Sequence, residues 1–299
     1  FIFSPFNSDE NTILFPIKEA DFITEKIQIE ERYILKDSLL NVGEANKEQH
    51  IQLVEKALGQ INNKVLKKVV VSRNEDIVLE HFNLLTTFKK ILKTHPNAFV
   101  YVWFHPKVGL WFGATPETLL TVENLRFETM SLAGTQVADN LASVVWQQKE
   151  LEEQSLVTDF IENQLKNTVE SLQIKNTETV KAGNLYHLKT AISGTLHPSK
   201  STLKELIKSL HPTPAVCGLP RNIAKKFILE NENYDREFYT GFLGPITSDK
   251  TSLFVNLRCA EWKSGRLRLY VGAGITSSSD SEQEWKETQR KAETLAQIV

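Results

Sequence analysis

Little in this chain points away from an ordinary globular fold. Only two cysteines occur in 299 residues, Cys217 and Cys259, far apart and each inside an apolar run. That scarcity excludes a disulfide framework and a cysteine-rich zinc site, and the two thiols read as small buried hydrophobes in a reducing compartment. No apolar run approaches the roughly 20 residues a membrane span needs, and no signal-peptide pattern opens the chain, so a cytoplasmic, non-membrane protein is expected. An excess of either charge is also missing. Lys and Arg number 35 against 37 Asp and Glu, a formal net charge of −2, which offers no surface for nucleic acid. Neither an internal repeat nor a Gly/Ser linker divides the sequence, so one mixed domain over 1–299 with a substantial core is the economical reading. The first residue is Phe1 rather than Met, and the N-terminal part is expected to be truncated.

What is there is best approached from Leu269 to Lys291. A strand-like apolar run ends in Gly272-Ala273-Gly274, a Ser/Asp-rich turn follows, and an acidic helix begins. Ser281 and Glu284 have the spacing of a capping box. Glu284, Glu287 and Lys291 stand at i, i+3 and i+7 and therefore share a face. Two carboxylates and an ammonium beside a glycine turn suit a divalent ion with an anionic ligand, although the same pattern also describes a solvated amphipathic helix. A second pair, Glu150 and Glu153, repeats the i, i+3 spacing in the longest helical pattern, Trp146 to Leu172.

Along the rest of the chain, Phe1–Ser4 reads as a short strand ended by Pro5, and the stretch to about Ala45 is weakly periodic. Helices are expected over Asn46–Ile61, Ile77–Lys93, Ser201–Leu210 and Pro220–Asn231. Strands are expected over Val65–Ser72, Ala98–Phe104, Leu110–Leu120, Leu125–Ala133, Leu185–Leu196, Phe238–Ile246, Leu253–Trp262 and Arg266–Ile275. Lys263-Ser264-Gly265 makes a tight hairpin between the last two. Three side chains stand out against their surroundings. Lys68 precedes a run of valines, where burial would lower its pKa and provide a base. Glu117 follows a Gly-x-x-Pro turn between apolar runs, where burial would raise its pKa and provide an acid. Arg258 falls inside an otherwise apolar strand, which makes sense only with an anion for company. The plainer readings are an edge-strand lysine and a turn carboxylate, and His187, alone on its strand, is more simply a structural histidine.

Taken together, KVVVSR (68–73), GATPETLL (113–120), SLAGTQ (131–136), KELEEQSLV (149–157) and HLKTAISGTL (187–196) resemble the chorismate-utilising enzymes. So do LHPTPAVCGLP (210–220), REFYTGFLG (236–244), LRCAEW (257–262) and VGAGI with EWKETQRK (271–291). The resemblance covers nearly everything after about Lys64, and nine motifs in the family's order are specific. It implies an α+β fold of two large antiparallel sheets packed as a sandwich with outer helices. It also implies Mg²⁺ held directly by Glu153 and Glu287, with Glu150 and Glu284 in support through water. Mg²⁺ suits that set because it takes few protein carboxylates and keeps its waters. The second substrate carboxylate is then expected to meet Arg258, Tyr239, Lys291 and the Gly272–Gly274 backbone, with His187, Gly134 and Thr135 near the ring. Family members usually have Glu-His where this chain has Glu153-Gln154, a departure expected to matter little.

Within the family, Ala133 stands where covalent aminodeoxychorismate synthases carry a nucleophilic lysine. Lys68 and Glu117 match the base and acid of isochorismate and salicylate synthases. Ala215 stands where lyase-competent members tend to have threonine, which favours stopping at isochorismate, while Tyr239 is compatible with either outcome. The resemblance therefore implies an isochorismate synthase, expected to serve menaquinone rather than siderophore synthesis and to act as a monomer without a glutaminase subunit. Salicylate synthase and the ammonia-using anthranilate and aminodeoxychorismate synthases are the alternatives. A catalytically inactive relative that binds metal or a partner is a more distant one.

Overall fold

Alternating and continuous apolar runs in this chain become two antiparallel sheets with helices against their outer faces. The computed structural model describes residues 1–26, 46–79, 81–138, 140–182, 185–198, 201–263 and 265–296. The weakly periodic stretch falls partly at 27–45, outside the described residues. In chain order the first elements are β1 (Ile2–Ser4), β2 (Ile13–Leu14), α1 (Lys47–Asn62), β3 (Lys68–Val78), α2 (Leu84–Thr94), β4 (Phe99–His105) and β5 (Gly109–Thr115). The middle comprises β6 (Thr118–Glu123), β7 (Arg126–Gln136), α3 (Gln148–Leu165), β8 (Val169–Ile174), β9 (Glu178–Ala182), β10 (Leu185–Leu196) and α4 (Leu203–Leu210). The chain closes with β11 (Gly218–Leu219), α5 (Arg221–Asn231), β12 (Phe242–Gly244), β13 (Lys250–Val255), β14 (Cys259–Lys263), β15 (Arg266–Ile275) and α6 (Ser281–Ala296).

Among the described residues one sheet runs β2-β1-β12-β13-β6-β7-β10-β8, with β9 also paired to β10, and the other runs β11-β3-β15-β14-β5-β4. An aromatic layer joins them. Phe3 of β1 stacks on Phe238 at 4.3 Å and meets Trp103 edge-on at 4.7 Å, while Trp111 stacks on Tyr270 at 5.1 Å. Trp111 is fully buried, and truncating such a ring costs about 3–5 kcal/mol. Val157, Ile161 and Leu165 of α3, with Leu206 and Leu210 of α4, cover the first sheet. Val54, Ala57 and Ile61 of α1, with Ala224 and Ile228 of α5, cover the second. The expected sandwich with outer helices is the observed fold, and the described cysteines, Cys217 and Cys259, are free and buried.

Several expected boundaries shift for reasons visible in the pairing. β3 extends to Val78 because it pairs with β15 from Val69↔Ile275 to Val78↔Arg266, so the helix expected from Ile77 starts only at Leu84. The helix expected to reach Leu172 ends at Leu165, and Val169–Ile174 pairs with β10 instead. Leu110–Leu120 is two strands in different sheets, separated by Pro116 and Glu117. Leu253–Trp262 is likewise two strands, so Arg258 lies at a break and not inside a strand, with φ +48°. Phe238–Ile246 keeps only Phe242–Gly244 as strand. The cap of α6 is Asp280, whose carboxylate accepts from the Gln283 N–H at 3.0 Å, and not Ser281. β14 and β15 form the expected hairpin, with Lys263 opposite Arg266.

Candidate active site

Two passages from sheet to sheet position the site. From β5 to β6 the chain turns at Pro116-Glu117, and from β13 to β14 it turns at Asn256–Arg258. Asn256 is fully buried and ties the second turn down, donating to the Phe238 carbonyl at 2.9 Å and accepting from the Tyr101 hydroxyl at 2.6 Å. With the backbone held in this way, Glu117 and Arg258 point into one cleft of about 920 Å³, part of it open to solvent. Gly134, Thr135, His187, Ala215, Tyr239, Gly272, Gly274, Lys291 and Glu153 line the same cleft.

Glu117 is the cleft's acid. Burial pushes its carboxyl up to about 8, against the opposing pull of Lys68, so it is protonated at neutral pH. Lys68, on β3, is wholly buried behind the lining, and its Nζ sits 3.0 Å from Glu153 Oε1. The ammonium is therefore not bare, a partner that β-strand patterning did not reveal. Burial alone would raise Glu153, but Lys68, Lys149 and Lys291 pull its carboxyl below the usual range. Gly274 makes the approach possible: a Cβ there would fall 2.3 Å from Glu153 Oε1.

Arg258 and His187 are paired in the same cleft. Arg258 donates to His187 Nε2 at 2.8 Å, and His187 Nδ1 lies 3.0 Å from the Gly134 carbonyl. Burial, then Arg258 and Lys291, push the imidazole down to about 3, so it is neutral. Accepting at Nε2 and donating from Nδ1, it has one consistent tautomer. Burial lowers Arg258 to about 10, which still leaves it charged. Tyr239 stacks on Tyr270 at 5.4 Å, and burial raises its hydroxyl. Lys291 donates to the Gly272 carbonyl and to Glu287, each at 2.8 Å.

The remaining glutamates line an adjoining cavity of about 1030 Å³ that shares Thr135, Leu185 and Lys291 with the cleft. Glu284 is buried and bonded to Lys149 Nζ at 2.5 Å; Lys149 also lies 4.0 Å from Glu287. Burial and then Glu287 raise the Glu284 carboxyl, while Lys149 opposes both. Glu150 accepts from the Gln147 N–H at 2.9 Å and thereby caps its own helix. Among the described residues no three carboxylates or imidazoles form a ready-made ligand cluster. Gln154, in the position next to Glu153, donates to Ser131 Oγ and Thr190 Oγ1 at 2.9 Å and anchors α3 to β7 and β10.

Two residues of the site were not singled out in the sequence. Lys149, next to Glu150, had no signal beyond its place in KELEE. His95 lines the cleft, is 5% exposed, and has its Nε2 without a partner; burial and Arg258 push it down to about 4. Its signal was the helix-ending Thr-His-Pro at 94–96.

A buried, protonated carboxyl and a half-buried guanidinium thus line one cleft. A family model described as chorismate binding enzyme matches residues 9–299, and the chain belongs to that family. It is 30% identical to isochorismate synthase MenF of Haemophilus influenzae over 263 residues, 85% of this chain and 61% of that protein. It is 31% identical to isochorismate synthase DhbC of Bacillus subtilis, over 82% of this chain and 66% of the relative. The chain thus spans less than two thirds of the length of these relatives. A Bacillus anthracis crystal structure assigned as the 2,3-dihydroxybenzoate-specific isochorismate synthase DhbC superposes with TM-score 0.85 at 25% identity, covering 99% of this chain and 83% of that one.

Proposed function

We propose that the chain catalyses conversion of chorismate to isochorismate. The observation that carries this reading is Glu117, a carboxylic acid held protonated at neutral pH and facing the cleft, with the buried Lys68 nearby. In the proposed reaction Lys68 is the base that takes a proton from water as the oxygen bonds to C2 of the ring. Both ring double bonds shift by one position, the C4–oxygen bond breaks, and Glu117 supplies the proton that leaves with the hydroxyl as water. The pair moves one proton in and one proton out, so the ring system is isomerised without net redox change. Arg258 and Lys291 supply positive charge for a substrate carboxylate, with Tyr239 and the Gly272–Gly274 backbone beside them. His187, neutral and fixed in one tautomer, orients Arg258, while Gly134, Thr135 and Ala215 leave room for the ring.

The donor set fits Mg²⁺. Glu153 and Glu287 are the residues that would hold it, with Glu284 and Glu150 in outer support, all hard oxygen donors. Glu284 Oε2 is buried without a partner, and each of Glu153, Glu284 and Glu287 now rests against a lysine. Bound Mg²⁺ supplies charge neutralisation for a dianionic substrate and polarises its carboxylate.

Incubating purified protein with chorismate and Mg²⁺ tests the proposal: isochorismate alone is the expected product. Salicylate with pyruvate would point to the lyase, and an aminated product with ammonia to the anthranilate type. No loss of chorismate would overturn the enzyme reading. We assign the product to menaquinone synthesis, which predicts that deleting the gene abolishes menaquinone and leaves catecholate siderophores unchanged. We further propose that the chain acts as a monomer without a glutaminase subunit, so sedimentation of the purified protein is expected to give a single-chain mass.

A further inference from the structure

Outside the cleft, the largest debt of unmet hydrogen bonding lies between α1, β3 and the residues after α5. A polar cavity of about 710 Å³ is lined there by Arg73, His50, Lys56 and the amides of Asn46, Gln49 and Asn233, among others. Arg73 is 4% exposed, and its guanidinium is fixed from three sides. Nε donates to Thr288 Oγ1 at 3.0 Å, Nη1 donates to Glu75 at 2.5 Å, and the plane lies 4.3 Å over the Trp285 ring. Its Nη2 has no partner. His50 is 3% exposed, and neither of its ring nitrogens has a partner. Burial and then Arg73 push that imidazole down to about 4, so it is neutral and offers one donor and one acceptor.

Unmet donors are expensive when buried, and Arg73 Nη2 and the single imidazole N–H of His50 are two of them on neighbouring side chains. The lining contains Arg73 and Lys56 and no carboxylate. Counting the Glu75 that pairs with Arg73 leaves one net positive charge at the site. The amides around it donate and accept without adding charge, and one is already held in place, Asn233 Nδ2 donating to Gln49 Oε1 at 2.9 Å. We infer that this cavity is a second binding site, for a small oxyanion such as a carboxylate or a phosphate, met by Arg73 Nη2 and His50. The site is distinct from the cleft and stands whether or not the cleft takes chorismate. It backs onto α6 through Trp285 and Thr288, so an occupant bears on the helix that carries Glu284 and Glu287.

Histidine side-chain NMR on the full chain tests it, with the seven histidines labelled and His50 assigned by His50→Gln. Inorganic phosphate and acetate serve as separate probes. Saturable movement of the His50 resonance by either supports the site, and the tighter probe gives the anion class. Movement of His95 and His187 with His50 still reports the cleft alone and overturns the proposal, as does no movement with either probe. Gln49→Glu places a carboxylate on the exposed rim and cancels the net positive charge; it is expected to weaken binding at least about tenfold. Arg73→Lys keeps the charge but removes the second donor, with a loss of similar size expected. Unchanged affinity in Gln49→Glu, whose exposed position spares the fold, contradicts the assignment even where Arg73→Lys does not fold.

Discussion

Two of the passages by which the chain changes sheets end in opposite chemistry. At the β5–β6 turn burial drives Glu117 up to about 8, past neutrality. At the β13–β14 turn the same dryness drives Arg258 down to about 10, short of neutrality. Desolvation penalises the charged form of either group, but the carboxyl starts close enough to pH 7 to lose its charge and the guanidinium does not. One kind of backbone passage thus produces a neutral proton donor and a permanent cation in the same cleft. Leaving a sheet frees a side chain from the alternation of a strand, and both residues use that freedom to face inward.

Removing the acid is expected to have the largest effect. Glu117→Gln keeps the shape and removes the transferable proton, so turnover should fall about 10²–10⁴-fold, measured as kcat with chorismate. The same variant separates charge from packing. Because the folded pKa of Glu117 is raised, the wild type loses stability as pH rises from the ordinary carboxyl value of 4.5 to about 8 and levels off above it; the variant should escape that loss in thermal melts. Wild-type kcat should decline as pH passes about 8 and the acid ionises. Lys68→Ala should lose turnover by a comparable factor, yet retain Mg²⁺-dependent chorismate binding by calorimetry. Equal loss of both would assign Lys68 a structural role instead.

Gly274→Ala probes the cleft lining beside Glu153. Its Cβ would collide with Glu153 Oε1, and Mg²⁺ affinity should fall about 10–100-fold in a direct titration. Arg258→Lys keeps the charge and loses the fixed bond to His187. A rise in KM of about tenfold with a smaller change in kcat is expected from steady-state kinetics.

The comparison also marks what could be read from the sequence. Glu117 and Arg258 are conspicuous because each interrupts an apolar run; Glu117 is buried and Arg258 half-buried. Their placement at changes of sheet was not legible, since Leu110–Leu120 and Leu253–Trp262 look like single strands until pairing partners are known. β10 was read with its observed limits because its pattern is long and its ends are marked. The apolar spacing of Val169–Leu172 suits either period, and only pairing with β10 decides it. In the site, the Glu-x-x-Glu spacing is a local property of a helix and survives into the structure. The partners of those glutamates, Lys149 from α3 against Glu284 of α6 and Lys68 from β3 against Glu153, are long-range contacts with no local trace. For His95 the local Thr-His-Pro marks only a helix end, and its neighbour Arg258 is distant in sequence.

The proton on Glu117 is the centre of this account, and ¹³C NMR of glutamate carboxyls, with Glu117 identified by difference against Glu117→Gln, measures it directly. The predicted result is a carboxyl that remains protonated at pH 7 and titrates near 8. A carboxyl already ionised throughout the neutral range would contradict it.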